Sequence, residues 1–337
     1  MSTPTTPQAS TGASSTSAAV TAANALLATL GDAERATVGF AFDDAAQRVR
    51  WSNFASVGFR RAGLRLGDLA EAQRDAVLAV LAATLSAAGY RQVLAIMDGD
   101  ELLRADNPIF GRDQYWFALL GTPSEREPWR WQFGGHHLGL NATFVGDDVT
   151  LAPSLTGAQP AEYTAQSERV RTFGPERDAA YALLDLLDQD QRRQAIIAPV
   201  HIDLVLGPGK DGENVPPAGL SAARMSAVQR CALLDLIAAR IRLVGEAAAV
   251  RRLAAITADL DETWFAWAGP IGATGAAYWR ILGPTVLIEY APQWFRSGEP
   301  DPDHVHAIYR DPANDYGDGW LSGQDTWRPS SVKESRT

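Results

Sequence analysis

The chain has 337 residues, 46% of them apolar, and a formal net charge of −10. That length and apolar share fit a globular chain with a real core and exclude a disordered one. The acidic balance, with both signs interspersed, excludes a phosphate-backbone binder, which needs a clustered Lys/Arg face, so no nucleic-acid partner is expected.

Residues 1–24 are rich in Ser, Thr and Ala and carry no Lys or Arg. They lack the basic start and apolar stretch of a secretory signal. They are read as a disordered arm over 1–17 that runs into a first helix near Ala18–Leu30. No apolar run reaches the length of a membrane span, so no membrane partner is expected. Cys231 is the single cysteine and excludes a disulfide within the chain. It sits in an Ala/Leu-rich helical pattern and reads as a buried, inert thiol. The expectation is a soluble, cytoplasmic protein.

Further along, the chain repeats itself. The segment AGLRLGDLAEAQRDAVLAVLAA (62–83) lies over AGLSAARMSAVQRCALLDLIAA (218–239). In the same order, Asp113, Trp116, Phe117, Ala118, Gly121, Trp131 and Gly135 lie over Asp261, Trp264, Phe265, Ala266, Gly269, Trp279 and Gly283. Alanine-rich helices match easily, but coincident Trp and Gly positions are costly accidents, and the agreement indicates an internal duplication. In the first half, helices near 69–87 and 90–104 precede strands near 115–121 and 129–145. In the second, helices near 221–242 and 245–259 precede strands near 262–268, 276–282 and 285–291. A hairpin turn is offered by VGDDV (145–149), and a helix over 175–189, with Pro175 in its first turn, bridges the halves.

Helix runs grouped with strand runs in this way predict an α+β fold: internally duplicated helix-helix-hairpin halves with antiparallel sheet or sheets and a pseudo-twofold relation. The domain reading is an arm at 1–17, one duplicated globular unit over 18–330, and a C-terminal tail at 321–337. Within the unit, half one spans about 33–160, a linker and the bridging helix 161–215, and half two about 216–320.

Four of the five histidines fall in two tight pairs. In GGHHLGLN (134–141), the repeat sets His136 over Pro284, His137 over Thr285 and Asn141 over Glu289, so the scaffold common to both halves does not need the histidines. If 129–145 is one strand, its parity gives His137 a polar face with Asn141 and Thr143, as a ligand or base. His136 then faces Leu138, Leu140 and Phe144, as a core residue bonded to backbone. A bulge at Gly134-Gly135 would re-aim these side chains and could exchange the two roles.

The second pair lies in DPDHVHAIYRDPANDYG (301–317). On a strand, His304 and His306 share a face and can reach one ion. Glu289 stands alone among apolar residues in TVLIEYA, either paired with Arg280 across a hairpin or acting as a ligand, because an unpaired buried carboxylate is costly. Asp311 and Asn314 read as turn caps. Arg310 either anchors a substrate carboxylate or pairs with Asp315.

Taken together, PWRWQFGGHHLGLNATFVGDDVTLAPSLTGAQPA, YWRILGPTVLIEYA and HVHAIYRDPANDYG resemble the bacterial and fungal family catalogued as domain-of-unknown-function family 3500. The resemblance covers about Leu30 to Tyr316 and is most specific at Gly135-His136-His137, His304-x-His306, Arg310-Asp311 and Asn314 to Gly317. It implies a family and no activity. His201 falls where no family motif is recognised and reads first as a loop or strand residue.

The residues themselves point to a metal-dependent enzyme acting on a small-molecule substrate. His304, His306 and His137 are the expected ligands of a divalent transition metal (iron, copper or zinc). Glu289 is a fourth ligand or base, Arg310 a substrate anchor, and His136 a further catalytic candidate. Oxidative chemistry is the first expectation. A zinc-dependent hydrolase and a non-catalytic small-ligand-binding protein are the alternatives.

Overall fold

The computed structural model describes residues 15–272, 276–294 and 300–322. Its helices are α1 (Ser15–Thr29), α2 (Asp32–Val38), α3 (Ala45–Arg48), α4 (Glu71–Thr84), α5 (Ala87–Leu103), α6 (Gly174–Leu186), α7 (Gln189–Ala195), α8 (Ala227–Ile241), α9 (Glu246–Ala258) and α10 (Asp318–Ser322). Its strands are β1 (Gly39–Phe40), β2 (Leu64–Arg65), β3 (Trp116–Leu120), β4 (Trp129–Gly135), β5 (Leu138–Val145), β6 (Asp148–Thr150), β7 (Ser154–Ala158), β8 (Glu162–Ala165), β9 (Glu168–Arg171), β10 (Ile196–Ala198), β11 (Leu220–Ser221), β12 (Trp264–Ala268), β13 (Tyr278–Leu282), β14 (Leu287–Trp294) and β15 (Pro300–Arg310). The fold is α+β. None of these helices is long and apolar enough to cross a membrane.

Thirteen strands join one sheet in the order β1-β3-β4-β5-β7-β15-β14-β13-β12-β10, with β2 on β3, β6 on β5 and β11 on β12. The sheet is mixed: the short strands β1 and β10 run parallel to β3 and β12, and the other pairs are antiparallel. Both hairpin sets therefore lie in one sheet, joined where β7 pairs with β15. The strand expected over 129–145 is two strands with a turn at His136-His137. The ladder through Gly134↔Gly139 and Gly135↔Leu138 is regular, so Gly134-Gly135 forms no bulge and it is the turn that aims the two histidines. Residues 15–17 are helical, which shortens the expected arm. The rest of that arm and the tail from 323 lie outside the described residues. Cys231, expected to be buried, lies on the exposed side of α8.

Strand alternation gives the sheet two different faces. One face carries Trp129, Trp131, Phe133, Phe144, Phe265, Trp267 and Trp279, which share a core with helix residues such as Leu26, Val77, Leu81, Leu233 and Leu236. Trp129 stacks on Phe144 at 4.3 Å and Trp279 on Tyr290 at 5.3 Å, so cross-strand aromatic pairs help to fix the register. The other face is polar. Arg130 donates to Thr143 (3.0 Å) and Gln132 to Asn141 (2.9 Å) across the β4–β5 ladder.

Two irregular segments cover that polar face, and their own polar groups meet it. Gln47 donates to Gln132 at 2.8 Å, while Leu206 donates its N–H to Glu289 at 2.7 Å. A small apolar cluster of Trp51, Leu155, Leu206, Leu287 and Ile308 holds the segments down. The helix layer thus supplies most apolar burial, and the loop-covered layer pairs buried polar groups such as Gln132, Asn141 and Glu289.

Gly63 has φ +96°, and a Cβ there would stand 2.2 Å from the carbonyl oxygen of Phe117. Gly63→Ala is expected to cost about 2 kcal/mol or more, read as a lowered urea midpoint with an unchanged slope.

Candidate metal centre

Three adjacent strands, β5, β7 and β15, build the site. On β15, His306 pairs with Gly157 of β7, and His304 lies two residues earlier on the same face. His137 is the last residue before β5, and its carbonyl accepts the Gly157 N–H. Gly157 therefore lies between two histidines. A Cβ on it would meet His306 Cδ2 at 2.5 Å and His137 Cδ2 at 3.1 Å, so its missing side chain is the space in which the rings meet.

The three rings form a near-equilateral triangle. Their centroids lie 5.0 Å (His137–His304), 5.3 Å (His137–His306) and 5.1 Å (His304–His306) apart. The Nε2 atoms of His137 and His304 stand 3.0 Å apart, and one nitrogen from each of the three rings lies within 4.8 Å of the others. Two nitrogens that share an ion at about 2.0–2.1 Å are separated by roughly 3 Å, which this pair matches.

Burial keeps the imidazoles neutral. It pushes His137 and His306 well below the ordinary histidine range, with neighbouring imidazoles adding to the effect, and it pushes His304 down to about 4. Neutral imidazole is the ligand form. Two buried nitrogens, Nδ1 of His137 and Nδ1 of His304, have no hydrogen-bond partner.

A carboxylate reaches this cluster from the helix layer. Asp100 of α5 is fully buried; its Oδ1 lies 2.8 Å from Nδ1 of His136 and 3.5 Å from Nδ1 of His137. Tyr115 donates its hydroxyl to Asp100 Oδ2 at 2.8 Å. Burial raises the Asp100 carboxyl, and the hydrogen bond to His136 acts against that. A carboxylate behind a ligating histidine orients the ring and raises its basicity. His136 stacks on His137 at 3.6 Å and on Phe110 at 4.5 Å, with its side chain 14% exposed.

The turn that carries both histidines is pinned from outside. Arg61 donates to the carbonyls of Gly135, Ser52 and Phe54, and His137 donates its N–H to the Asn53 carbonyl at 3.0 Å. The Asn53 amide lies 3.3 Å from both ring nitrogens of His306. His137 takes φ +61°, a left-handed conformation that costs a non-glycine residue energy and is held here by these contacts.

The structure thus brings together His136, His137, His304 and His306, while two expected partners lie elsewhere. Glu289 is fully buried, but its oxygens accept from the N–H groups of Val205 (3.1 Å) and Leu206 (2.7 Å) and from the Tyr278 hydroxyl (2.6 Å). It faces Arg280 in the ladder, yet its bonds fasten the loop over the sheet, and the carboxylate at the imidazoles is Asp100. Arg310 spends its donors on the carbonyls of Leu206 and Gly207 and on Asp211 (3.0 Å) and Asp315 (2.8 Å), the second of its two expected roles.

His136 departs from its expected backbone-bonded core position. The turn leaves it partly exposed, with its ring on Asp100. Asp311 caps its turn by accepting from Ala313 and also pairs with Arg252 at 2.7 Å. His201 packs on Trp294 at 5.6 Å and lies outside the clusters of metal-ligating groups.

Asp100, Asn53 and Arg61 escaped the sequence reading. Asp100 did leave a signal: Val93, Ile96, Met97 and Asp100 follow helical spacing on the buried side of α5, so an acid interrupts an apolar stripe.

His304 gives a direct pH test. Its folded pKa lies below the unfolded value of about 6.5, so unfolding takes up a proton between those values. This histidine's cost to stability is absent above pH 6.5 and grows as pH falls toward 4. Its imidazole resonance is expected to titrate near 4 in the metal-free protein, and His304→Asn should lose less stability than wild type between pH 7 and pH 5.

Among curated proteins and among solved structures, nothing matches the chain. A family model described as "Protein of unknown function (DUF3500)" matches residues 12–318, and the chain belongs to that family.

Proposed function

We propose that this protein is a metal-dependent enzyme acting on a small organic molecule, with His137, His304 and His306 holding one divalent transition ion. The observation that carries the proposal is the buried triangle of neutral imidazoles with converging nitrogens. A triangle of three ligands occupies one side of an ion and leaves the other side for substrate or water. Packing three unprotonated imidazoles at steep angles to one another has little value to a core, whereas binding an ion satisfies their lone pairs.

Iron or copper would give oxidative chemistry, our first reading, because the buried triad shields reactive species from water. Zinc would give water activation. The Asp100–His136 pair favours that second reading, since a partly exposed imidazole oriented by a carboxylate can carry a proton to or from a metal-bound water. His136 is then the acid–base residue. Glu289 and Arg310 act by fixing the loop and the 310–316 turn.

The scaffold is read as one unit of two related halves with a pseudo-twofold relation. The sheet order supports this, since β2 and β1 attach to β3 as β11 and β10 attach to β12. So do matched details: Arg35 Nε donates to Leu30 and Arg192 Nε to Leu187, both at 3.0 Å. Ser86 N–H donates to Leu243 at 2.9 Å while Gly245 N–H donates to Thr84 at 3.0 Å, and Gly219 approaches the Phe265 carbonyl as Gly63 approaches Phe117.

Elemental analysis of the purified protein beside a His304→Ala/His306→Ala variant tests the proposal. Near-stoichiometric iron, copper or zinc that is lost from a still-folded variant is expected, and the element chooses between the two chemistries. Equal metal in both proteins, or none in either after reconstitution, would contradict it and leave the binding-protein alternative.

A further inference from the structure

On the helix side of the sheet, on the face away from the imidazoles, α8, α9, β6 and the 311–320 segment line a partly open cavity of about 160 Å³. Its lining includes Leu151, Ile241, Val244, Ala248 and Trp320, which are apolar, and Ser154, Arg240, Arg252, Asp311 and Asn314, which are not. Ser154 lies on β7 opposite Tyr309 of β15, three residues along that strand from His306 and on the other face of the sheet, so the cavity is roughly 10 Å along the strand from the nearest imidazole.

Three buried donors in this lining have no partner: Ser154 Oγ, Arg240 Nε and Asn314 Nδ2. The side chains are 1%, 1% and 6% exposed. Asn314 is oriented by the Trp320 N–H, which donates to its Oδ1 at 3.2 Å and leaves the amide N–H groups unpaired. Arg240 is held at its far end, by Thr156 Oγ1 and by the carbonyls of Ser154 (3.3 Å) and Ala307 (3.4 Å), which leaves Nε as its one nitrogen without a partner.

Three guanidiniums, of Arg240, Arg251 and Arg252, and two carboxylates, of Asp148 and Asp311, line the cavity. Asp311 pairs with Arg252 at 2.7 Å and Asp148 with Arg251 at 3.0 Å. Arg240 makes no direct salt bridge among the described residues; the buried carboxyl of Glu176 is its first electrostatic partner and acts on it without a direct ion pair. Burial lowers Arg240 to about 10, so it is still cationic at neutral pH.

We infer that this cavity binds a small organic carboxylate, about the size of benzoate, with its anionic end on Arg240, Ser154 and Asn314 and its apolar end against Val244, Ala248 and Trp320. The donors are those a carboxylate accepts from, and a bound carboxylate would give Arg240 the direct ion pair it lacks. An apolar cavity of about 150 Å³ holds a benzene ring, which sets the size of the occupant.

Sodium benzoate titrated calorimetrically into the full chain tests the inference, with benzyl alcohol as a neutral molecule of similar size. The expected result is one benzoate site, with benzyl alcohol at least tenfold weaker. Benzoate binding should persist in His304→Ala/His306→Ala, which places the site away from the imidazoles and separates it from the metal proposal. Ala248→Phe fills the cavity and should weaken benzoate at least tenfold; if that variant fails to fold, Ser154→Ala, which removes one donor, is read for the same loss. No benzoate binding, equal binding of benzyl alcohol, loss of binding in the histidine variant, or undiminished binding in the folded cavity variant would overturn the inference.

Discussion

The site depends on one close approach, the contact of His137 and His306 across Gly157. Strand spacing alone brings side chains on β5, β7 and β15 to within about 5 Å of a neighbour, but a residue on the middle strand would normally fill the gap. Glycine on β7 leaves that gap open, and the two rings enter it from either side. His304 completes the triangle because it shares a face with His306. Three separate parts of the chain thus converge, and they are irregular at the 136–137 turn and at the register shift of β15 against β14 between Asp301 and Val305, which contains His304.

Sheet alternation decides what surrounds this centre. Trp129, Trp131, Phe133, Phe144, Phe265, Trp267 and Trp279 are committed to the helix layer, so the opposite face is left largely to polar residues and to irregular cover. That division explains why Glu289 and Arg310, both on the polar face, are engaged by backbone groups of the 205–207 segment. They are ties for a loop that has no regular ladder of its own. Asp100 enters from the helix layer and reaches the histidines past the end of β4, where the turn exposes the ring of His136 to it.

Much of this was legible in the residues. The helix pairs, the Trp-rich hairpins and the pairing of His304 with His306 followed from periodicity, since Leu, Val and Trp recur at helical or alternating spacing. The central strand β7 was not, because Ser154-Leu155-Thr156-Gly157-Ala158 carries neither β-branched enrichment nor clear alternation; its place is set by its neighbours and by its need to be small. The His136-His137 turn was hidden for a related reason: two histidines without a turn-type glycine give no hairpin signal, and the price is His137 at positive φ. Asp100 was overlooked as one acid in an acidic helix end, and Glu289 drew attention because an acid in an apolar strand looks like a ligand whether it binds a metal or a loop.

The central claim is that His137, His304 and His306 share one ion. X-ray absorption at the edge of the bound metal in the reconstituted protein reads the ligand set directly. The account predicts a first shell containing three imidazole nitrogens at about 2.0–2.1 Å, with the outer-ring scattering that imidazole gives. A shell of oxygen atoms without imidazole scattering would contradict it.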